Sequence, residues 1–137
     1  MPYDAGKFCD LVKDIPFAMF TTVTAEGGLR SRPMVAMSNA FDGSLWFFTR
    51  TGSSITAELG VDGRVNVTYV SAPEDRFVSV SGQATIVRDD ARAAQMWSSS
   101  YQQWFPGGAS DPDLSLIRVD VTRIEYWDRK VGRMTTL

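Results

Sequence analysis

Two short stretches hold the residue types that bind anions. In LWFFTRTGSSITAEL, Leu45 to Leu59, an apolar strand runs into a turn of small residues and then into a helix. Gly52, Ser53 and Ser54 bring backbone amides, two hydroxyls and a helix N-terminus together, a combination that binds phosphate. A plain helix cap explains the same serines, and caps far outnumber phosphate sites. Ile55 and Thr56 follow, where a phosphate site usually adds a cation. In the second stretch, RSRPMV from Arg30 to Val35, the two-residue strand period puts Arg30 and Arg32 on one face, opposite Ser31. Pro33 cannot donate to a ladder, so this part is an edge, a bulge, or backbone turned toward a ligand. Two solvated arginines on an edge strand is the alternative reading.

The chain has no histidine. That excludes Ser-His-Asp and Cys-His triads, imidazole metal ligation and histidine acid–base steps within one chain. Chemistry must then come from carboxylates, serines, tyrosines, arginines or a borrowed cofactor, and the cofactor is the most economical source. The residues leave any catalytic side chain unidentified and point to no metal site.

These residues need a scaffold. Asp4 to Asp14 has helical spacing in Phe8, Leu11, Val12 and Ile15, and Pro16 ends it. FAMFTTVT, the turn AEGG and LRSRPMVAMS form a hairpin. After the FDGS turn come the strand LWFFT and a helix from about Ser53 to Leu59. VNVTYV and RFVSVSGQATIV are strands joined by SAPED, with Gly82 marking a bulge or sharp bend. Asp89 and Asp90 cap a helix expected to run to about Tyr101, WFPGGASDPD is a loop, and LSLIRVDVTRIEYWD is a last strand. Six or so strands in antiparallel hairpins, with helices between them, predict a small barrel, because most connections are too short for parallel crossovers.

Composition narrows the function classes. A chain of 137 residues with 44% hydrophobic and 22% charged content predicts one domain, 1–137, with a real core. The net charge of −2 argues against nucleic-acid binding. The single cysteine, Cys9, forbids an internal disulfide and fits a reducing cytoplasm, and no apolar run is long enough to span a membrane. Trp97, Tyr101 and Trp104 in MWSSSYQQWFP bury against the barrel or a second subunit, and the surplus of rings favours a partner. The tryptophan of EYWD is core, interface or a ring-stacking wall.

Taken in order, FAMFTTVTAEGGLRSRPM, DGSLWFFT, AEL, DGRVNVTYV, FVSVSG, MWS, WFPGG, DPDLSLIRV and EYWD resemble the general stress protein 26-like group. That group belongs to the pyridoxamine 5′-phosphate oxidase-like split barrels. The resemblance runs from about Phe17 to Asp128. It implies a six-stranded antiparallel split β-barrel, a homodimer, and FMN or another flavin (FAD or a deazaflavin) in clefts at the subunit interface. Cousins with this barrel hold haem. Carried over by position, the resemblance puts Arg32 at the phosphate, Pro33, Met34 and Val35 along the isoalloxazine, and Phe48 and Thr49 before the turn. Trp127 matches a tryptophan lining the cofactor site. The family's two cationic positions are Ser54 and Ile55 here, so the turn is a weakened phosphate cradle that Arg50 or Arg30 could assist. A lysine at position 55 is expected to reach the phosphate. The oxidases proper carry a C-terminal Arg-Leu-His element, whereas this chain ends RKVGRMTTL, which argues against pyridoxamine phosphate as substrate. Three functions follow: a flavin oxidoreductase with an unidentified small-molecule partner, a flavin-binding or sensing module, and a barrel using another cofactor.

Overall fold

The computed structural model of the chain describes residues 3–37 and 41–137. The N-terminal helix α1 spans Ala5–Val12, with Asp4 accepting the Lys7 N–H at 3.0 Å. It ends two residues before the expected Asp14, which takes a left-handed φ of 61°. Arg76 supplies the stop: its Nη1 donates to the carbonyls of Asp10, Leu11 and Lys13, placing a cation at the negative end of the helix. Phe8 is the buried residue of α1, and it packs on Phe41 and Tyr69.

Strands β1 (Phe17–Val23) and β2 (Leu29–Val35) form the expected hairpin, turned at Gly27, whose φ is 84°. Ser38, the last residue of the expected second strand, lies outside the described residues. Then follow β3 (Ser44–Arg50), α2 (Ser54–Val61), β4 (Arg64–Ser71), β5 (Arg76–Val87), α3 (Asp90–Met96), β6 (Leu114–Asp128) and β7 (Arg133–Thr136). Every pairing is antiparallel, in the order β2-β1-β4-β5-β6-β3. The curled sheet is therefore a six-strand barrel split between its two edge strands, β2 and β3. The extra strand β7 pairs with Glu125 to Asp128 of β6, beyond the reach of β3, whose pairing with β6 ends at Asp120.

Gly82 lies at a register shift between β5 and β6. A Cβ there would fall 2.6 Å from the Asp120 carbonyl oxygen and 2.8 Å from Val119 Cγ1, so the close approach requires glycine. The barrel interior is filled by Phe20, Phe47, Val67, Val80, Ile117, Val119 and Ile124, with Phe20 and Phe47 edge to face at 5.3 Å.

One helix is shorter than its sequence suggested. Asp89 caps α3 by accepting the Arg92 N–H, but the helix stops at Met96 rather than near Tyr101. Trp97 turns extended, and Ser98 caps a separate 3-10 turn over Ser99–Gln103. Three consecutive serines offer local hydrogen bonds that compete with the helix ladder, here Ser98 Oγ to the Ser100 N–H.

Candidate functional site

The seam between the edge strands opens into a cleft of about 400 Å³. β2 contributes Arg32, Pro33, Met34 and Val35, and the end of β3 contributes Phe48, Thr49 and Arg50. Ser53, Ser54 and Ile55 bring in the start of α2, while Tyr101, Trp104 and Phe105 close the side next to the loop before β6. Nine of the ten positions singled out in the sequence thus meet in one place. The proline is accommodated because β2 has only β1 as a neighbour and keeps a free edge.

The tenth, Trp127, does not line this cleft. It sits in the outer half of β6 opposite Met134, with 37% of its surface exposed. Trp97 and Tyr101 pack against the barrel through Phe48, at 6.1 and 5.0 Å, so most of the ring surplus is used within the chain. Trp104 stays 40% exposed. Burial raises the Tyr101 hydroxyl above its ordinary pKa, which keeps it a neutral donor at physiological pH. Asp111 holds the neighbouring loop by accepting the N–H groups of Gly107 and Asp113, and those bonds lower its pKa.

The helix start is a cap beside the cleft. Ser53 Oγ accepts the Thr56 N–H at 3.4 Å and lies 3.2 Å from Thr49 Oγ1, so its hydroxyl is committed to the turn. Ser54 is exposed on the cleft side of the first helical turn. Ile55, by contrast, is 4% exposed and belongs to the core with Leu59 one turn later. The expectation that a lysine at 55 would reach a phosphate is corrected on that ground, because the side chain enters the barrel.

The cations are also less free than their positions suggest. Arg32 Nη1 donates to Thr22 Oγ1 at 2.8 Å and Nη2 to Glu58 Oε1 at 2.7 Å; Thr22 Oγ1 in turn donates to the same carboxylate oxygen at 2.7 Å. Thr22 is fully buried, and the Arg32 and Glu58 side chains are 16% and 14% exposed. The Thr22 hydroxyl first, and then Arg32, hold Glu58 below the usual carboxylate pKa against the cost of burial. Arg30 approaches the other Glu58 oxygen at 3.7 Å from the surface. Arg50 donates to Asp113 at 3.0 Å and to the Trp104 carbonyl at 2.8 Å.

Sequence reasoning missed Thr22 and Glu58. A threonine at an inward position of β1, following Ala18 and Phe20, was the available signal: a polar group in a core phase requires a partner.

The donor set fits a flavin in part. Phe48, Tyr101, Trp104, Met34 and Val35 offer an apolar wall for a ring system, and Ser54 with the first amides of α2 offers neutral donors for a polar tail. Among the described residues, no group of three His, Cys, Asp or Glu side chains is placed to hold a metal ion, and no helix is long and apolar enough to cross a membrane.

The family model described as pyridoxamine 5′-phosphate oxidase like matches residues 4–137. The solved structure of a general stress FMN/FAD binding protein from Xanthomonas citri is 29% identical, with a TM-score of 0.77 over 97% of this chain and 92% of that one. A Clostridium acetobutylicum protein related to general stress protein 26 is 19% identical, with a TM-score of 0.81 over 98% of this chain and 96% of its own, a likeness of fold. Protein bli-3 of Neurospora crassa is 31% identical over 120 residues, 80% of this chain and 57% of that protein. The chain therefore spans little more than half the length of that relative.

Proposed function

The chain belongs to the pyridoxamine 5′-phosphate oxidase-like family, and from that premise we propose that it binds FMN in the seam cleft and serves as a flavin-dependent oxidoreductase. The observation that carries this reading is the convergence of both free barrel edges and the α2 N-terminus on one aromatic-walled cleft. Met34 and Val35 would bear on the isoalloxazine together with Phe48, while Ser54 and the first amides of α2 would receive the ribityl phosphate. Bound FMN would supply the redox chemistry, and the chain would bind it, orient it and exclude water. Of the titratable groups that line the cleft, the two arginines are paired and Tyr101 stays neutral. That favours, as a second reading, a module that holds flavin without turnover.

The same proposal includes a homodimer. On the outward sheet face the pairs Phe17–Val35, Val70–Phe77 and Trp127–Met134 fall along one line when each ladder is followed by its register. Phe17, Val70, Met134 and Trp127 are 56%, 48%, 41% and 37% exposed. Such a stripe suits the apolar centre of an interface. It begins at Phe17, on the rim of the cleft, and ends at Trp127, so a partner laid across it would bring Trp127 near a cleft that it does not line in its own chain. A cytoplasmic location, suggested by the single cysteine, belongs to the same reading.

The test is spectroscopic. Apo-protein titrated with FMN should quench flavin fluorescence as the ring meets Phe48, Tyr101 and Trp104, and Phe48→Ala should weaken binding. Reduction of the bound flavin by NADH or NADPH, followed by reoxidation with an added acceptor, supports the oxidoreductase. Tight binding without reduction by either donor supports the second reading. No binding at all sinks both.

A further inference from the structure

We infer that Glu58 is a built-in competitor for the ligand's phosphate and makes the cleft nearly indifferent to whether its flavin carries one. The inference rests on the flavin reading above and concerns which flavins the site accepts. Arg32 is the least exposed cation on the cleft, and the resemblance assigned it to the phosphate. Both of its terminal nitrogens are already bonded, one to Thr22 and one to Glu58. Thr22 donates its own hydrogen to the same Glu58 oxygen, so the three side chains close a triangle that uses two of the five guanidinium N–H donors and balances the Arg32 charge, which a phosphate would otherwise claim, with the Glu58 carboxylate. Breaking that triangle would leave a carboxylate at 14% exposure and a fully buried hydroxyl short of a partner, a larger loss than breaking an exposed pair. The carboxylate is ionised at neutral pH, since its neighbours lower its pKa. Arg50 is bonded to Asp113 and the Trp104 carbonyl, but in an exposed pair that holds it less firmly than Glu58 holds Arg32. The position where a further cation would be sought, Ile55, faces the core.

Apart from the exposed Arg50, the tail end of the cleft offers neutral groups: the Ser54 hydroxyl and the first amides of α2. These serve the ribityl hydroxyls of riboflavin as well as a phosphate oxygen. A free charge-assisted contact to phosphate would separate FMN from riboflavin by about ten- to a hundredfold in affinity. With Arg32 held by Glu58, the wild-type ratio should stay under about tenfold.

The experiment measures FMN and riboflavin affinities by fluorescence quenching for wild type, Glu58→Gln, and Glu58→Gln combined with Arg32→Gln. Glutamine keeps an acceptor for Thr22 and Arg32 but removes the competing charge. The FMN-to-riboflavin ratio should rise about tenfold in Glu58→Gln, shrink with added salt, and return to the wild-type value in the double variant. A merely structural role for Glu58 would move both affinities together and leave the ratio alone. A ratio unchanged within about twofold in Glu58→Gln, or a wild-type ratio already above about tenfold, overturns the inference. The wild-type ratio decides independently of whether the variants fold. If wild type binds neither flavin, the flavin reading itself fails.

Discussion

Replacing Ile55 with lysine separates the two roles that the sequence merged at the start of α2. Ile55 is 4% exposed and packs with Leu59 in the main core, while Ser54, one residue earlier, is exposed on the cleft. A lysine at 55 must bury its ammonium without a partner or open the helix from the barrel. An uncompensated buried charge costs about 3–5 kcal/mol. For a domain of this size each kcal/mol lowers Tm by about 3–5 °C, so the fall should be on the order of 10–20 °C. Ser54→Lys should cost only the unfavourable placement of a cation at a helix N-terminus, about 0.3–1 kcal/mol, or a few degrees. It should also tighten FMN several-fold and leave riboflavin unaffected, because its ammonium reaches the cleft. Thermal denaturation of the three proteins, followed by titration with both ligands, tests the argument. An Ile55→Lys protein that melts within about 3 °C of wild type would refute the placement of that side chain in the core.

Three other outcomes follow from the same packing. Gly82→Ala should destabilise by about 1–3 kcal/mol through overpacking against Asp120 and Val119, measurable as a lower urea midpoint; a neutral result would mean that the bulge is looser than its 2.6 Å approach implies. Phe17→Asp combined with Trp127→Glu should convert the proposed dimer to a folded monomer in sedimentation velocity, and an unchanged dimer would place the interface elsewhere. Because Glu58 has a lower pKa folded than unfolded, its contribution to stability is full at neutral pH, begins to fall near pH 4.5, and is lost once the pH passes below the folded value. The stability gap between wild type and Glu58→Gln should therefore be constant above about pH 5 and narrow as the pH falls through and below about 4.5; a gap that widens on acidification contradicts the assignment.

Much of the barrel was legible because alternation is a strong signal. β6 has its expected bounds, Leu114–Asp128, and the glycine inside β5 marked the bulge. Ser53 marked the start of α2, since a cap is a local event written in adjacent residues. What stayed hidden depends on distant partners. The strand β7 consists of RMTT, too short and polar to be recognised, and exists because β6 overhangs β3. α3 looked longer because alanines and a methionine outweighed the serines that end it. The pairing of Arg32 with Glu58 joins residues on β2 and α2 that only the closed barrel brings to 2.7 Å. Ile55 did carry its own signal, since Leu59 four residues later marks a buried helix stripe.

The seam of this split barrel is proposed to hold a flavin in an assembly of two chains. Native mass spectrometry of protein bound to FMN, with no variant involved, reads subunit count and ligand mass together. A dimer that carries two FMN molecules is expected. A stable monomer would contradict the shared assembly, and protein that takes up no FMN from a large excess would contradict the claim itself.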